Sequence, residues 1–256
     1  VQGLHRFFDP ENRKTLLMSN LTANDTALDT QINRFGFWCA VICIATGFLA
    51  VALPLDVPGG YDATSGERLH WLAAQRSSFI AGWINQIVAM LTLSGLFLAI
   101  AWRVRRKSPL AALLAAGATA LATMAFVIPK FMAVWTIPLL TEAAISEGAG
   151  AEMAATLLPL LNVSIPFSLY TSFDYMGFWL YSLFALLTMV PMVDRDWPSK
   201  LAALSLGLFG VGFHVAFAML IFGVIGAADI EVSFGLSFLP LLILVLVMVA
   251  IFRRVD

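Results

Sequence analysis

One run of residues constrains this chain more than any other: Leu110–Ile137, LAALLAAGATALATMAFVIPKFMAVWTI. It stays apolar for longer than the roughly 20 residues a helix needs to cross a bilayer. Near its far end stand Pro129 and Lys130. An ammonium at hydrocarbon depth is costly, so Lys130 must reach the headgroups, find a partner or serve a site. Composition extends the constraint to the whole chain. It is 60% hydrophobic and 12% charged, whereas soluble domains sit near half and a quarter. Fifteen basic and 16 acidic residues among 256 cannot coat a water-soluble fold of this size. The chain reads as an all-α integral membrane helical bundle.

Apolar windows place six transmembrane helices at about 35–55, 78–102, 110–137, 170–193, 201–225 and 232–252. Residues 1–30 form a polar N-terminal tail. Its first part, Val1–Leu17, lacks the apolar core of a signal peptide. Met18 is a second candidate start, which would leave residues 1–17 outside the native protein. Thr64 and Glu67 are spaced as a capping box, which predicts a helix running on through the second span to Trp102. Such a helix is about 55 Å long, so its first turns project from the membrane. The long connection Leu139–Leu169 carries Glu142, Glu147 and Glu152 but no Lys or Arg. It reads as short amphipathic interfacial helices broken by Pro159 and Pro166, either a lid over the outer mouth or plain connecting structure.

Basic residues set the orientation. Arg34, Arg103, Arg105, Arg106, Lys107, Arg195, Lys200, Arg253 and Arg254 fall on one side, and only Arg68 and Arg76 on the other. With six spans this puts both termini in the cytoplasm. The expected location is the cytoplasmic membrane of a bacterium.

In lipid, small and polar residues mark the faces where helices meet. Four spans carry such a face at 3–4 spacing. On the second it is Gln75, Ser78, Gly82, Asn85, Ala89 and Thr92. The third has Ala112, Ala116, Thr119, Thr123, Phe126 and Lys130. The fourth has Thr171, Asp174, Phe178, Tyr181, Ala185 and Thr188, and the fifth Ala203, Gly207, Gly210 and His214. Spans one and six lack one and are expected to be more lipid-exposed. The rise per residue puts Lys130 and Asp174 near the outer boundary and Asn85 about 10 Å below it. These residues predict an outward-facing polar pocket lined by Asn85, Lys130, Asp174, Tyr181 and His214, with Arg76 and Glu67 at its rim. Lys130 and Asp174 would form an ion pair there. The alternative is that Lys130 snorkels to outer phosphates while Asp174 caps its helix. The tryptophans, Trp83 among them, read as interfacial belts.

Several chemistries lack their residues. His5, His70 and His214 are the only histidines, too few for a membrane di-iron cluster or a bis-histidine haem. Neither an H-E-x-x-H nor a G-x-S-x-G motif is present. Cys39 and Cys43, four apart on one apolar helix, read as small core residues. No cofactor or metal is expected. A net charge of −1 argues against nucleic acid. The partners expected are the lipid bilayer and a membrane protein or a second copy of the chain.

The functional expectation is a non-enzymatic membrane protein that holds a small or lipid-like ligand in the outer pocket, or serves as a subunit of a membrane complex. A small-molecule or lipid transporter is the alternative, though the Pro129–Lys130 break has no charged counterpart in span six, as repeated carrier halves would require. An intramembrane enzyme comes third.

In overall plan the chain resembles uncharacterised bacterial six-span membrane proteins of unknown function. The resemblance rests on the six spans, the long connection between the third and fourth, and Phe178–Lys200, FWLYSLFALLTMVPMVDRDWPSK, leading into a Gly-rich fifth span. It implies a six-helix membrane bundle and supplies neither an activity nor site residues.

Overall fold

The computed structural model describes residues 10–146, 148–226 and 230–253. The start of the N-terminal tail with His5, and also Glu147 and Arg254, lie outside the described residues. Every regular element within them is helical. In chain order these are α1 (Pro10–Ala50), a single 3₁₀ turn (Gly60–Asp62), α2 (Ser65–Ala74), α3 (Arg76–Val104), α4 (Pro109–Ile145), α5 (Ala151–Leu161), α6 (Leu169–Met192), α7 (Trp197–Ile221) and α8 (Ile230–Arg253). Six of them are long and apolar enough to cross a membrane: the Asp25–Ala50 part of α1, α3, α4, α6, α7 and the Gly235–Arg253 part of α8. The chain thus has the architecture of a multi-pass membrane protein.

Local chemistry accounts for most boundaries. The capping box at α2 forms as its spacing predicts, Glu67 N–H to the Thr64 hydroxyl and Thr64 N–H to the Glu67 carboxylate. Ser168 caps α6 and Asp196 caps α7 through side-chain oxygens. Pro109 and Pro198 sit in the first turns of α4 and α7, where a missing N–H costs nothing.

Three expectations about the elements are corrected. The helix starting at Ser65 does not run unbroken to Trp102, for Gln75 leaves helical geometry (φ −109°, ψ 20°) and separates α2 from α3. The break lets α2 fold onto α4 and drives Leu72 into a cluster with Phe79, Trp83, Ala133, Ile137, Leu158 and Tyr170. That burial outweighs the continuity of a straight helix. Second, α4 does not stop at Ile137. It passes both Pro129 and Pro138 and ends at Ile145, because Ile137, Pro138 and Thr141 are buried in the same end of the bundle. Third, α5 carries Pro159 within its last turn, and buries Ala154 and Leu158. α1 is already helical at Pro10 and ends at Ala50.

The six long helices form a ring. α1 packs on α3, α3 on α4, α4 on α6, α6 on α7, α7 on α8, and α8 returns to α1. A further α3–α6 contact fills the middle, where Phe97 stacks on Phe184 with centroids 4.3 Å apart. The main core joins Leu96, Ile100, Phe126, Tyr181, Leu206, Phe209 and Leu244, all fully buried. The small-residue stripes face it: Ala112, Thr119, Ala185, Thr188, Ala203 and Gly210 are buried. α1 has the least buried apolar window, 22% against 50% for α3, as expected of a lipid-facing span. α8 does not share that exposure, being as buried as α4 and α7 at 33%, because Leu241, Leu244, Met248 and Phe252 pack inward.

Basic residues concentrate at one end. Asp29 of α1 binds Arg105 at 2.7 Å and Arg106 at 2.6 Å, and Lys107 binds the Val193 carbonyl and Asp194. The opposite end is built from the loop after α1, α2, the end of α4, α5 and the start of α6.

Candidate functional site: a cavity beside a buried ion pair

Lys130 points into protein at that opposite end. It is 3% exposed, and its Nζ donates to Asp174 Oδ1 at 2.7 Å. The rings of Phe126 and Tyr170 lie 5.0 and 5.3 Å from the ammonium, within cation–π range. Phe126 reaches this place because Gly177 has no side chain; a Cβ there would stand 2.6 Å from the phenyl ring. Lys130 therefore does not snorkel, and Ser168 rather than Asp174 caps α6. Asp174 is the exposed partner: its side chain keeps 21% of its surface open, against 4% for Lys130.

What Asp174 opens onto is a half-open cavity of about 820 Å³. Its walls are the loop Leu55–Asp62, the Val163–Pro166 stretch before α6, Thr171, Asp174, Tyr175 and Phe178 of α6, and Gly235 and Phe238 of α8. The volume is within the range of small-molecule sites.

A second ion pair holds the loop wall in place. Asp56 and Arg68 approach to 3.4 Å with side chains 6% and 8% exposed. Asn162 donates to Asp56 Oδ1 at 3.1 Å, and the Arg68 guanidinium donates to the Gly60 carbonyl. Gly60 adopts φ +52°, a left-handed turn that glycine enters at little cost. The loop after α1 is thus tied both to α2 and to the α5–α6 connection. Asp56, Arg68 and Asn162 were not among the residues the spacing singled out. The available signal was that Arg68 is one of only two basic residues expected on this side.

The other predicted site residues do not join the cavity. The Asn85 amide donates to the Thr46 carbonyl of α1 at 2.9 Å and is buried. Tyr181, fully buried, shares a hydroxyl cluster with Ser94 (2.6 Å), whose Oγ accepts from Thr123 at 2.7 Å. His214 Nδ1 lies 2.8 Å from the Gly210 carbonyl and 3.1 Å from Ser182 Oγ. A carbonyl at that distance requires a proton on Nδ1, so this nitrogen cannot serve as a base for Ser182. Arg76 pairs with Glu142 at the surface. Glu67 spends its carboxylate on the capping box. The Thr64 hydroxyl at 2.7 Å, and then the Thr64 amide, hold that carboxyl below the usual carboxylate range. The expected constellation is thereby corrected: Lys130 and Asp174 pair, Asp174 lines the cavity, and Asn85, Tyr181, His214, Arg76 and Glu67 each meet partners elsewhere.

Trp83 departs from the belt reading. It is 1% exposed and packs against Phe79 and Tyr170, and neither its indole N–H nor the Tyr170 hydroxyl has a hydrogen-bond partner among the described residues.

The arrangement as a whole offers a shaped, partly apolar space with a carboxylate at its wall, and no nucleophile paired with a base beside it among the described residues. The six-span plan agrees with the resemblance drawn from sequence, but no family model, curated protein or solved structure matches the chain.

Proposed function

We propose that this is a non-enzymatic multi-pass membrane protein that binds a small or lipid-like ligand in the cavity beside Asp174. The positive-inside rule assigns the basic end to the cytoplasm, which makes the cavity outward-facing; the proposed membrane is the cytoplasmic membrane of a bacterium. The observation carrying the reading is the asymmetry of the buried pair: the cation is sealed and the carboxylate is presented to an 820 Å³ space. A pair serving only to join two helices gains nothing from such an opening. Binding is preferred to transport because every described wall residue comes from one end of the bundle, whereas a carrier needs access to both. A role as subunit of a membrane complex is compatible with the same cavity.

Gly235 supplies the test. A Cβ there meets nothing within 4 Å, so Gly235→Trp should fill the cavity without disturbing the helices. Native mass spectrometry of both proteins, purified in mild detergent, should find a retained small molecule or lipid on the wild type and its loss from the variant. Identical bound species on the two proteins would refute the reading.

A further inference from the structure

We propose a second site, separate from the cavity: a shallow groove on the lipid side of the α6–α7 seam that takes the hydroxyl group of a membrane-dissolved molecule, with His214 and Trp179 as its hydrogen-bonding pair. The neighbours of His214 locate its proton. Nδ1 stands 2.8 Å from the Gly210 carbonyl and 3.1 Å from Ser182 Oγ. The Ser182 hydroxyl spends its own hydrogen on the Trp179 carbonyl at 2.6 Å. Both neighbours of Nδ1 therefore accept, and Nδ1 carries the proton. Nε2 of the neutral ring is left with a bare lone pair. It has no hydrogen-bond partner among the described residues, and protein does not enclose it. The Trp179 ring lies alongside, centroids 6.5 Å apart. It is 37% exposed, and its indole N–H likewise has no partner among the described residues and is not enclosed. The seam faces outward, for Val211 and Val215, on either side of His214 in α7, are 54% and 53% exposed. At the rise of a helix, Trp179 lies about 15 Å and His214 about 10 Å from the cavity-side ends of α6 and α7. Both groups thus stand at hydrocarbon depth, away from the interface that indoles prefer. Acyl chains neither donate nor accept, so an open acceptor and an open donor are costly there until something pairs with them. A hydroxyl does both at once: its hydrogen goes to Nε2 and its oxygen accepts from the indole. His214 is half-buried, and a recessed nitrogen suits a slender head on an apolar tail better than the flank of another helix. Neither residue belongs to the cavity wall.

Nitrogen NMR of isotope-labelled histidine reads the site directly. The protein is placed in nanodiscs of phosphatidylcholine, a lipid with no hydroxyl of its own, and His214→Gln identifies the resonance. para-Octylphenol, its methyl ether and dodecanol are then titrated in. Without a probe, Nε2 should give the signal of an unprotonated, unpaired nitrogen. Octylphenol should move it to a hydrogen-bonded value with an apparent affinity at least about fivefold above that of the ether, which cannot donate. Trp179→Phe keeps a ring but removes the N–H; it should leave the starting signal in place and weaken octylphenol several-fold. Gly235→Trp, which fills the separate cavity, should change nothing, so failure of the cavity reading and failure of this one are told apart. A tighter response to octylphenol than to dodecanol assigns the groove to a phenolic head, and the reverse to an aliphatic alcohol. Equal shifts from octylphenol and its ether, no shift from either hydroxyl compound, or a proton found on Nε2 would each overturn the proposal. An Nε2 already hydrogen-bonded without a probe, and freed only when each nanodisc holds one copy, would seat a second copy in the groove and overturn it as well.

Discussion

Removing the ammonium of Lys130 tests the centre of the structure directly. At 2.7 Å and an effective dielectric near 20, the attraction within the pair is about 6 kcal/mol. Most of this is offset by the cost of taking both groups out of water. The pair as a whole is therefore close to neutral for stability, but either half alone is not. Lys130→Met keeps the length of the side chain and leaves Asp174 with four-fifths of its side chain buried and no counter-ion. Stranding one member of a buried pair costs about 3–5 kcal/mol, and the partial opening of Asp174 argues for the lower part of that range. Replacing the carboxylate as well, in Lys130→Met with Asp174→Leu, should return most of the loss. Equilibrium unfolding in mixed micelles with increasing denaturing detergent would give the free energies of the wild type, both single variants and the double. Single losses that simply add in the double variant would show that the two groups do not depend on one another, and the reasoning about the site would fall with them.

Two glycines on facing helices should respond oppositely. Gly177→Ala forces a methyl to within 2.6–2.8 Å of the fully buried Phe126 ring and should cost about 1–3 kcal/mol; Gly117→Ala meets nothing within 4 Å and should gain about 0.5–1 kcal/mol through helix propensity, both read by the same unfolding assay. Tyr181→Phe deprives Ser94 of its 2.6 Å partner and should cost about 1 kcal/mol, with Thr123→Val in the same background adding less than it does alone. For pH, the Glu67 carboxyl is depressed by its bonds from Thr64, so the capping box contributes fully above the titration of the unfolded carboxyl. That contribution fades as pH falls through the folded group's own titration. Amide exchange at Thr64 should accelerate in that acidic window, and the acceleration should vanish in Glu67→Gln.

The ion pair was legible in sequence because in hydrocarbon a charge has few solutions, and stripe spacing put Lys130 and Asp174 on inward faces of helices joined by one connection. The wider constellation was not legible. Asn85, Tyr181 and His214 lie on inward faces as spacing implies, but a face at helical resolution does not say which neighbour lies opposite. Each found a partner on another helix within a few ångströms, Thr46, Ser94 and Ser182. The cavity wall was the least visible part, since Asp56 and Asn162 lie in connections whose path depends on contacts across 106 positions of sequence. The break at Gln75 and the passage of α4 through Pro138 have the same origin. Burial of Leu72 and Ile137 in one cluster decides both, and local propensity records neither.

The ring of helices carries a consequence for biogenesis. As the chain is threaded into lipid, each long helix after the first emerges next to the one it will pack against, so assembly proceeds by adding neighbours. The first alone waits, since its second flank, on α8, is the last to arrive. The same late arrival supplies Gly235 and Phe238, so a nascent chain halted before its final crossing holds an intact Lys130–Asp174 couple and only a fraction of the chamber beside it. Under the binding role proposed above, competence to capture a ligand is thereby reserved for the finished molecule.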